Sequence, residues 1–188
     1  MAYATALQLK EYLGIKEDAD DLLLDGIIAR SQAIIEAYTG RVFEAATATK
    51  YFDEEYIEGQ DLDLWGEDLL SVTKLTNGNG VEIVTNDYRL FPRNGLPKWR
   101  IRLDYSRSWE FSTDESEISI AGTWGYSAIA PANIQHACIR LAAFIYRQKD
   151  TSADIDRPMI TGDGVTIMPS GLPADVQALL NPYKRRIA

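Results

Sequence analysis

The sequence predicts an α+β fold, a small helical bundle with an antiparallel β subdomain inserted in it. Three observations carry that reading. Apolar side chains recur at helical spacing over residues 18–39, and again after Pro131. Between Val42 and Tyr126 the period of the apolar pattern falls to two. The two long amphipathic segments lie about 90 residues apart, each with one apolar face, and packing those faces together leaves the β segment as an insert.

The first helix is short. Thr5-Ala6-Leu7-Gln8 matches a capping box, in which Thr5 and Gln8 each satisfy a free backbone donor. Leu7, Leu9 and Leu13 follow, and Gly14 suits a left-handed helix end. The second helix is expected from Asp18 to Thr39. Asp18, Asp20 and Asp21 crowd its start, where the helix dipole favours negative charge. Leu23, Ile27, Ile34 and Tyr38 form its stripe, widened by Leu24, Ile28 and Ile35, and Gly40 ends it.

About six antiparallel strands are expected next, half buried and half solvated. Leu62 and Leu64 alternate with aspartates, and Trp99, Ile101 and Leu103 alternate with Arg100 and Arg102. Ile118, Ile120 and Trp124 repeat the pattern. Asn77-Gly78-Asn79-Gly80 between apolar runs is a hairpin signal, because Asn and Gly tolerate positive φ. Pro131 then opens a helix with Ile134, Ala137, Cys138, Leu141, Ala142 and Ile145 on one face, ending near Lys149. A short hairpin is expected between Met159-Ile160 and Val165-Thr166-Ile167. Pro173 starts a last short helix, stopped at Asn181-Pro182, and since the helix cannot simply continue past Pro182, the basic tail from Tyr183 to Ala188 is expected to extend away from the body. The chain thus divides into N-terminal helices (1–43), an inserted β subdomain (44–126), a long core helix (127–150), and a loop, short helix and basic tail (151–188). Neither internal repeats nor low-complexity tracts interrupt it.

Hydrophobic residues make up 46% of the 188, enough for a packed core. No apolar run approaches the roughly 20 residues of a membrane helix. The N-terminus has neither the basic nor the apolar region of a secretory signal. Cys138 is the only cysteine, so no internal disulfide forms, which suits a reducing compartment or indifference to redox. The net charge of −9 is unevenly spread. Residues 1–68 carry 16 acidic and 5 basic side chains, whereas residues 89–107 carry six basic and one acidic. Lys184, Arg185 and Arg186 form a second basic patch. This asymmetry suits either ordinary solvated surface, a self-complementary oligomer, or a surface that must not hold DNA. On the oligomer reading, Arg100 and Arg102 are the expected subunit interface.

Catalytic chemistry finds little to work with. His136 is the only histidine, and two residues apart on a helix it does not face Cys138, so they are no nucleophile–base pair. One histidine and one cysteine cannot build a usual zinc site. Asp61-x-Asp63-x-Trp65-Gly66 faintly resembles a calcium loop, but Trp65 stands at its fifth position and Val72 at its twelfth. Asp53-Glu54-Glu55 and Asp114-Glu115-Ser116-Glu117 read as solvated turns. Phosphate-binding glycine loops are missing. Trp99, Tyr105 and Trp109 interleave with arginines, but strand alternation sends Trp99 and the arginines to opposite faces, which favours core plus solvated face over a nucleic-acid platform. The expectation is a protein that is not an enzyme, with no cofactor, no metal and no membrane contact.

Three stretches together resemble one family, the adaptor or head-completion proteins of tailed double-stranded DNA phages, also called head–tail connector proteins. The first is Ala33-Ile34-Ile35-Glu36-Ala37-Tyr38-Thr39-Gly40-Arg41-Val42-Phe43, which looks like the family's helix ending in aromatic-Thr-Gly-Arg. The second is Ile120-Ala121-Gly122-Thr123-Trp124-Gly125-Tyr126 followed by Pro131, similar to the family's strand, Gly-x-Trp-Gly-Tyr, loop, Pro, helix junction. The third runs from Leu172-Pro173 to Tyr183-Lys184-Arg185, similar to the closing helix and basic tail. The large β insert resembles only the longer members.

The resemblance implies a structural virion protein at the neck and portal vertex, assembled in the host cytoplasm. It implies a ring of about twelve copies between the portal and a tail or stopper protein, with double-stranded DNA passing through without specific binding. It makes Gly122, Trp124, Gly125, Tyr126 and Pro131 a structural junction, with Trp124 buried near the helix after Pro131. It also gives the C-terminal segment the portal contact, through Tyr183, Lys184, Arg185 and Arg186. Alternatives from other classes are a tail-completion or stopper subunit and a carboxylate-based hydrolase.

Overall fold

A computed structural model of the chain describes residues 2–17, 20–111, 117–148, 159–160, 166–167 and 172–185. The fold is α+β and divides into two compact units, one mainly helical and one built of strands. One unit comprises Met1–Thr39 and Pro131–Lys184, the other Gly40–Ala130 and Arg185–Ala188.

The helical unit contains α1 (Ala6–Leu13), α2 (Asp21–Thr39), α3 (Ala132–Gln148) and α4 (Ala174–Leu180). A two-stranded hairpin pairs Met159–Ile160 with Thr166–Ile167. The capping box before α1 is formed: the Gln8 amide donates to Thr5 Oγ1 at 3.2 Å and the Thr5 amide to Gln8 Oε1 at 2.9 Å. Gly14 ends α1 at φ +75°, a left-handed cap that glycine adopts without strain. The core of this unit is Leu9 with Leu24, Ile28 and Ile35 from α2, Ile134, Cys138 and Leu141 from α3, and Val176 and Leu180 from α4.

α2 departs from the sequence reading in its face. It begins at Asp21, and Asp18 lies outside the described residues. Its buried stripe runs Leu24, Ile28, Ser31, Ile35, Thr39, while Leu23 and Ile34 stay more than a third exposed and Leu22 is 90% exposed. Two polar side chains enter that stripe because the helix satisfies them. The Ser31 hydroxyl donates to the Ile27 carbonyl at 2.9 Å and the Thr39 hydroxyl to the Ile35 carbonyl at 2.7 Å. The side opposite the stripe, with Leu22, Gly26, Ala29, Ala33 and Ala37, carries no charge either, so periodicity alone misplaces the face.

The β unit holds two four-stranded antiparallel sheets. The first orders β1 (Ala46–Phe52), β8 (Ile118–Trp124), β4 (Leu69–Thr76) and β5 (Glu82–Ile83). The second orders β2 (Ile57–Glu58), β3 (Asp61–Asp63), β7 (Arg100–Leu103) and β6 (Tyr88–Phe91). The Asn77–Gly80 turn joins β4 to β5, with Leu75 opposite Ile83 and the Asn77 amide donating to the Val81 carbonyl at 2.8 Å. One hydrophobic cluster draws on both sheets: Phe52, Leu69, Leu75, Ile118, Ile120 and Trp124 from the first side, Leu62, Tyr88, Ile101 and Leu103 from the second. Along β8, Ile118, Ile120, Gly122 and Trp124 all point inward, as the period-two pattern requires.

Candidate functional site

The C-terminal segment is built against the chain itself. α4 is too short to be stable alone, and it buries Val176 and Leu180. Asn181–Tyr183 form a 3₁₀ turn immediately after it. In the helical unit the Tyr38 hydroxyl donates to Asn181 Oδ1 at 2.8 Å, and the Lys184 ammonium lies 4.8 Å from the centre of the Tyr38 ring. The sequence reading sent Tyr183–Ala188 away from the body after Pro182. The structure corrects this for the described part, because a proline is compatible with the first turn of a 3₁₀ helix and both Tyr183 and Arg185 are half-buried. Arg186, Ile187 and Ala188 lie outside the described residues.

Arg185 belongs to the β unit, where it meets Asp68. Its Nη2 lies 3.1 Å from Asp68 Oδ2, and Asp68 Oδ1 takes the Arg41 guanidinium. Asp68 is only 6% exposed, so two cations satisfy one buried carboxylate. Arg41 also stacks on Tyr126, its guanidinium 5.3 Å from the ring centre, and Tyr126 packs on buried Phe43 at 5.4 Å. Gly66, at φ +87°, clears the way: a β-carbon there would stand 2.9 Å from Arg185 Nη1. The sequence singled out Arg41 and Arg185 within motifs but not Asp68, which is 117 residues from its Arg185 partner.

The acidic third and the basic patch also meet within the chain. β3 lies beside β7 with Asp61 opposite Arg102 and Asp63 opposite Arg100. Arg102 holds Asp61 with two nitrogens, Nη2 at 2.6 Å from Oδ2. Arg100 Nη1 reaches the same carboxylate at 3.2 Å and its Nη2 lies 3.6 Å from Asp63. The hydrogen bond from Arg102 holds the Asp61 carboxyl below the usual carboxylate range. These pairings also explain why the aspartates of the calcium-like loop are engaged by guanidinium groups. Arg102 is exposed and Arg100 half-buried, as alternation requires, but Trp99 is 45% exposed, contrary to its expected core place. It sits one residue before the strand, with Arg100 4.6 Å from its ring centre.

The junction residues hold the first sheet together. Gly122 faces β4 at a bulge, where a β-carbon would stand 2.3 Å from the Ser71 carbonyl oxygen. Trp124 is 4% exposed, stacks on Phe52 at 6.1 Å and donates its indole N–H to the Ala48 carbonyl at 3.0 Å. These partners lie in the β unit, where the sequence reading placed the indole near the helix after Pro131. Gly125, at φ +141°, packs 2.7 Å from the Glu44 carbonyl by the same β-carbon measure. Pro131 precedes α3, and its carbonyl accepts from the amides of Ile134 and Gln135 at 2.9 and 3.0 Å. Gly122 therefore serves sheet packing, and the turn is made at Gly125.

Among the described residues no group of three or more His, Cys, Asp or Glu is placed to hold a metal, and no helix is long and apolar enough to cross a membrane. His136 is exposed on α3, while Cys138 is wholly buried and burial pushes its thiol up to about 12.

No family model and no curated protein matches the sequence. Solved structures match its fold over nearly its whole length. A chain in the neck of an empty gene transfer agent particle, computed with C6 symmetry, superposes with a TM-score of 0.67 at 19% identity, over 97% of this chain and 90% of that one. A chain in the neck of the native particle, computed with C12 symmetry, gives 0.64 at 19% identity with the same coverage. A chain of the native gene transfer agent virion gives 0.61 at 21% identity, again over 97% and 90%.

Proposed function

We propose that the chain is a structural, non-catalytic subunit of the neck of a tailed phage or phage-like particle. In this reading it forms an adaptor ring between the portal and the tail or stopper and extends the channel through which DNA passes. The observation that carries the reading is near-complete coverage, at both ends of the comparison, by chains of a particle neck. The motif order supports it independently, since the Thr-Gly-Arg helix end, the Gly-x-Trp-Gly-Tyr junction and the closing helix each occupy a distinct structural role.

The twelve-fold symmetry of one of those necks supports a ring of this chain. The portal contact is assigned to the C-terminal segment, Tyr183 to Arg186. That assignment requires Arg185 to exchange its intramolecular carboxylate for an acidic partner, or to dock while still holding Asp68. Arg100 and Arg102 are the weaker candidates for a subunit interface, because Asp61 and Asp63 already use their charge. Removing the chain from an infected or producing cell tests the function. The expected products are DNA-filled heads and separate tails that do not join. Joined particles of normal infectivity would overturn it.

A further inference from the structure

The second sheet of the β unit ends on two open strands, β2 at one side and β6 at the other. Its outward face reads across the strands as one row, Glu58, Asp61, Arg102, Arg89, each residue directly opposite the next. The inner two neutralise each other. The outer two are left over: Glu58 stands beside a carboxylate and Arg89 beside a guanidinium, and like charges directly opposite on a sheet are destabilising. Both are exposed, and neither forms an ion pair among the described residues. The adjoining row, on the inward face, is Ile57, Leu62, Ile101, Leu90. Leu62 and Ile101 are wholly buried, while Ile57 and Leu90, at the two edges, are only half covered.

The backbone follows the same pattern. Each strand of this sheet is antiparallel to its neighbour, so with four strands β2 and β6 run in opposite directions. Setting β6 of one copy beside β2 of another therefore continues the antiparallel alternation. The Asp104 amide donates to the Asp87 carbonyl at 2.8 Å, which turns the backbone of Arg89 toward β7 and that of Leu90 to the open edge. At the other edge the Ile57 amide turns away from β3 to the Glu54 carbonyl, which leaves the Ile57 carbonyl facing outward.

We infer that β6 of one copy of this chain pairs with β2 of the next, with Arg89 opposite Glu58 and Leu90 opposite Ile57. The charged row then repeats as two acids and two bases with no like-charged neighbour left unrelieved, and the apolar row runs on behind it. The Leu90 amide donates to the Ile57 carbonyl of the neighbouring copy. Beyond this pair the antiparallel direction carries exposed Arg93 toward exposed Glu54 and Glu55. Pairing like edges would fail, since two β2 edges gather carboxylates and two β6 edges gather guanidinium groups. Two different edges make the contact head-to-tail, the kind that closes into a ring when the rotation allows. The inference rests on the ring reading above for its biological setting. It moves the subunit contact from Arg100 and Arg102, whose charge is used within the chain, to their neighbour on the same face.

A zero-length cross-link tests it. Within one chain, positions 58 and 89 stand three strand spacings apart, about 14 Å, too far to be joined directly. Arg89→Lys keeps the charge at an exposed site and supplies an amine that a carbodiimide couples to a touching carboxylate. At high concentration the expected products are covalent multimers in which peptides holding positions 58 and 89 are joined by an amide. Glu58→Gln in the same chain is expected to lower that product about tenfold. Multimers lacking the 58–89 link, no multimers, or a yield indifferent to Glu58→Gln would each overturn the contact. The two readings fail separately. A neck ring of this chain that forms equally well with Arg89→Glu refutes the contact and leaves the ring, while the 58–89 link in a chain absent from the neck does the reverse.

Discussion

Replacing Asp68 by asparagine keeps the shape of the side chain and removes the charge that two arginines share. The carboxylate is 6% exposed, and the arginine side chains are 20% and 25% exposed, so water compensates for only part of the loss. Breaking a buried pair from one side costs about 3–5 kcal/mol when the survivor has no other refuge. Here Arg185 and Arg41 keep partial access to water, and Arg41 keeps the Tyr126 ring, so we expect about 2–4 kcal/mol. The Asp68 backbone carbonyl still accepts from the Gly125 amide, so the turn itself survives. Arg185→Ala should cost less, about 1 kcal/mol, because Arg41 remains to hold the carboxylate. Urea unfolding of Asp68→Asn, Arg185→Ala and the double variant measures the coupling, expected near 1 kcal/mol. Single-variant costs that simply add, or an Asp68→Asn protein within about 0.5 kcal/mol of wild type, would refute the idea that this carboxylate ties down the C-terminal segment.

Trp124→Ala should destabilise by about 3–5 kcal/mol, since it vacates a 4%-exposed site and removes the indole bond to the Ala48 carbonyl; a near-neutral melt would contradict that. Gly122→Ala should cost about 3 kcal/mol or more, because its β-carbon meets the Ser71 backbone rather than a movable side chain, and thermal denaturation reads this directly. Asp61 has a folded pKa below its unfolded one, so its contribution is whole above the unfolded value and is lost as pH falls from there through the lower folded value. The stability gap between wild type and Asp61→Asn should therefore be about 1–2 kcal/mol at pH 7 and shrink on acidification to about pH 3, and a gap constant across that range would contradict the pairing.

What the sequence made legible was local. The Thr5–Gln8 capping box, the Asn77–Gly80 hairpin and the inward run Ile118, Ile120, Trp124 each follow from residues within a few positions of one another. Two features resisted for physical reasons. The face of α2 is ambiguous because apolar residues occupy both sides, and only packing selects the Leu24–Thr39 stripe. Strands of two to four residues such as β2, β3 and β5 are too short to show alternation, so eight strands in two sheets read as about six. The candidate interaction residues suffered most, since their surroundings are non-local. Asp61 meets Arg102 across 41 residues and Asp68 meets Arg185 across 117, and nothing in a linear charge count distinguishes a charge kept for a partner from one paired at home.

Cryo-electron microscopy of the neck in purified particles tests the central claim most directly. The account predicts a closed ring of this chain between portal and tail, around the DNA channel, with density for the C-terminal segment reaching the portal. A neck whose rings are built entirely from other chains, in particles that are complete and infectious, would contradict it.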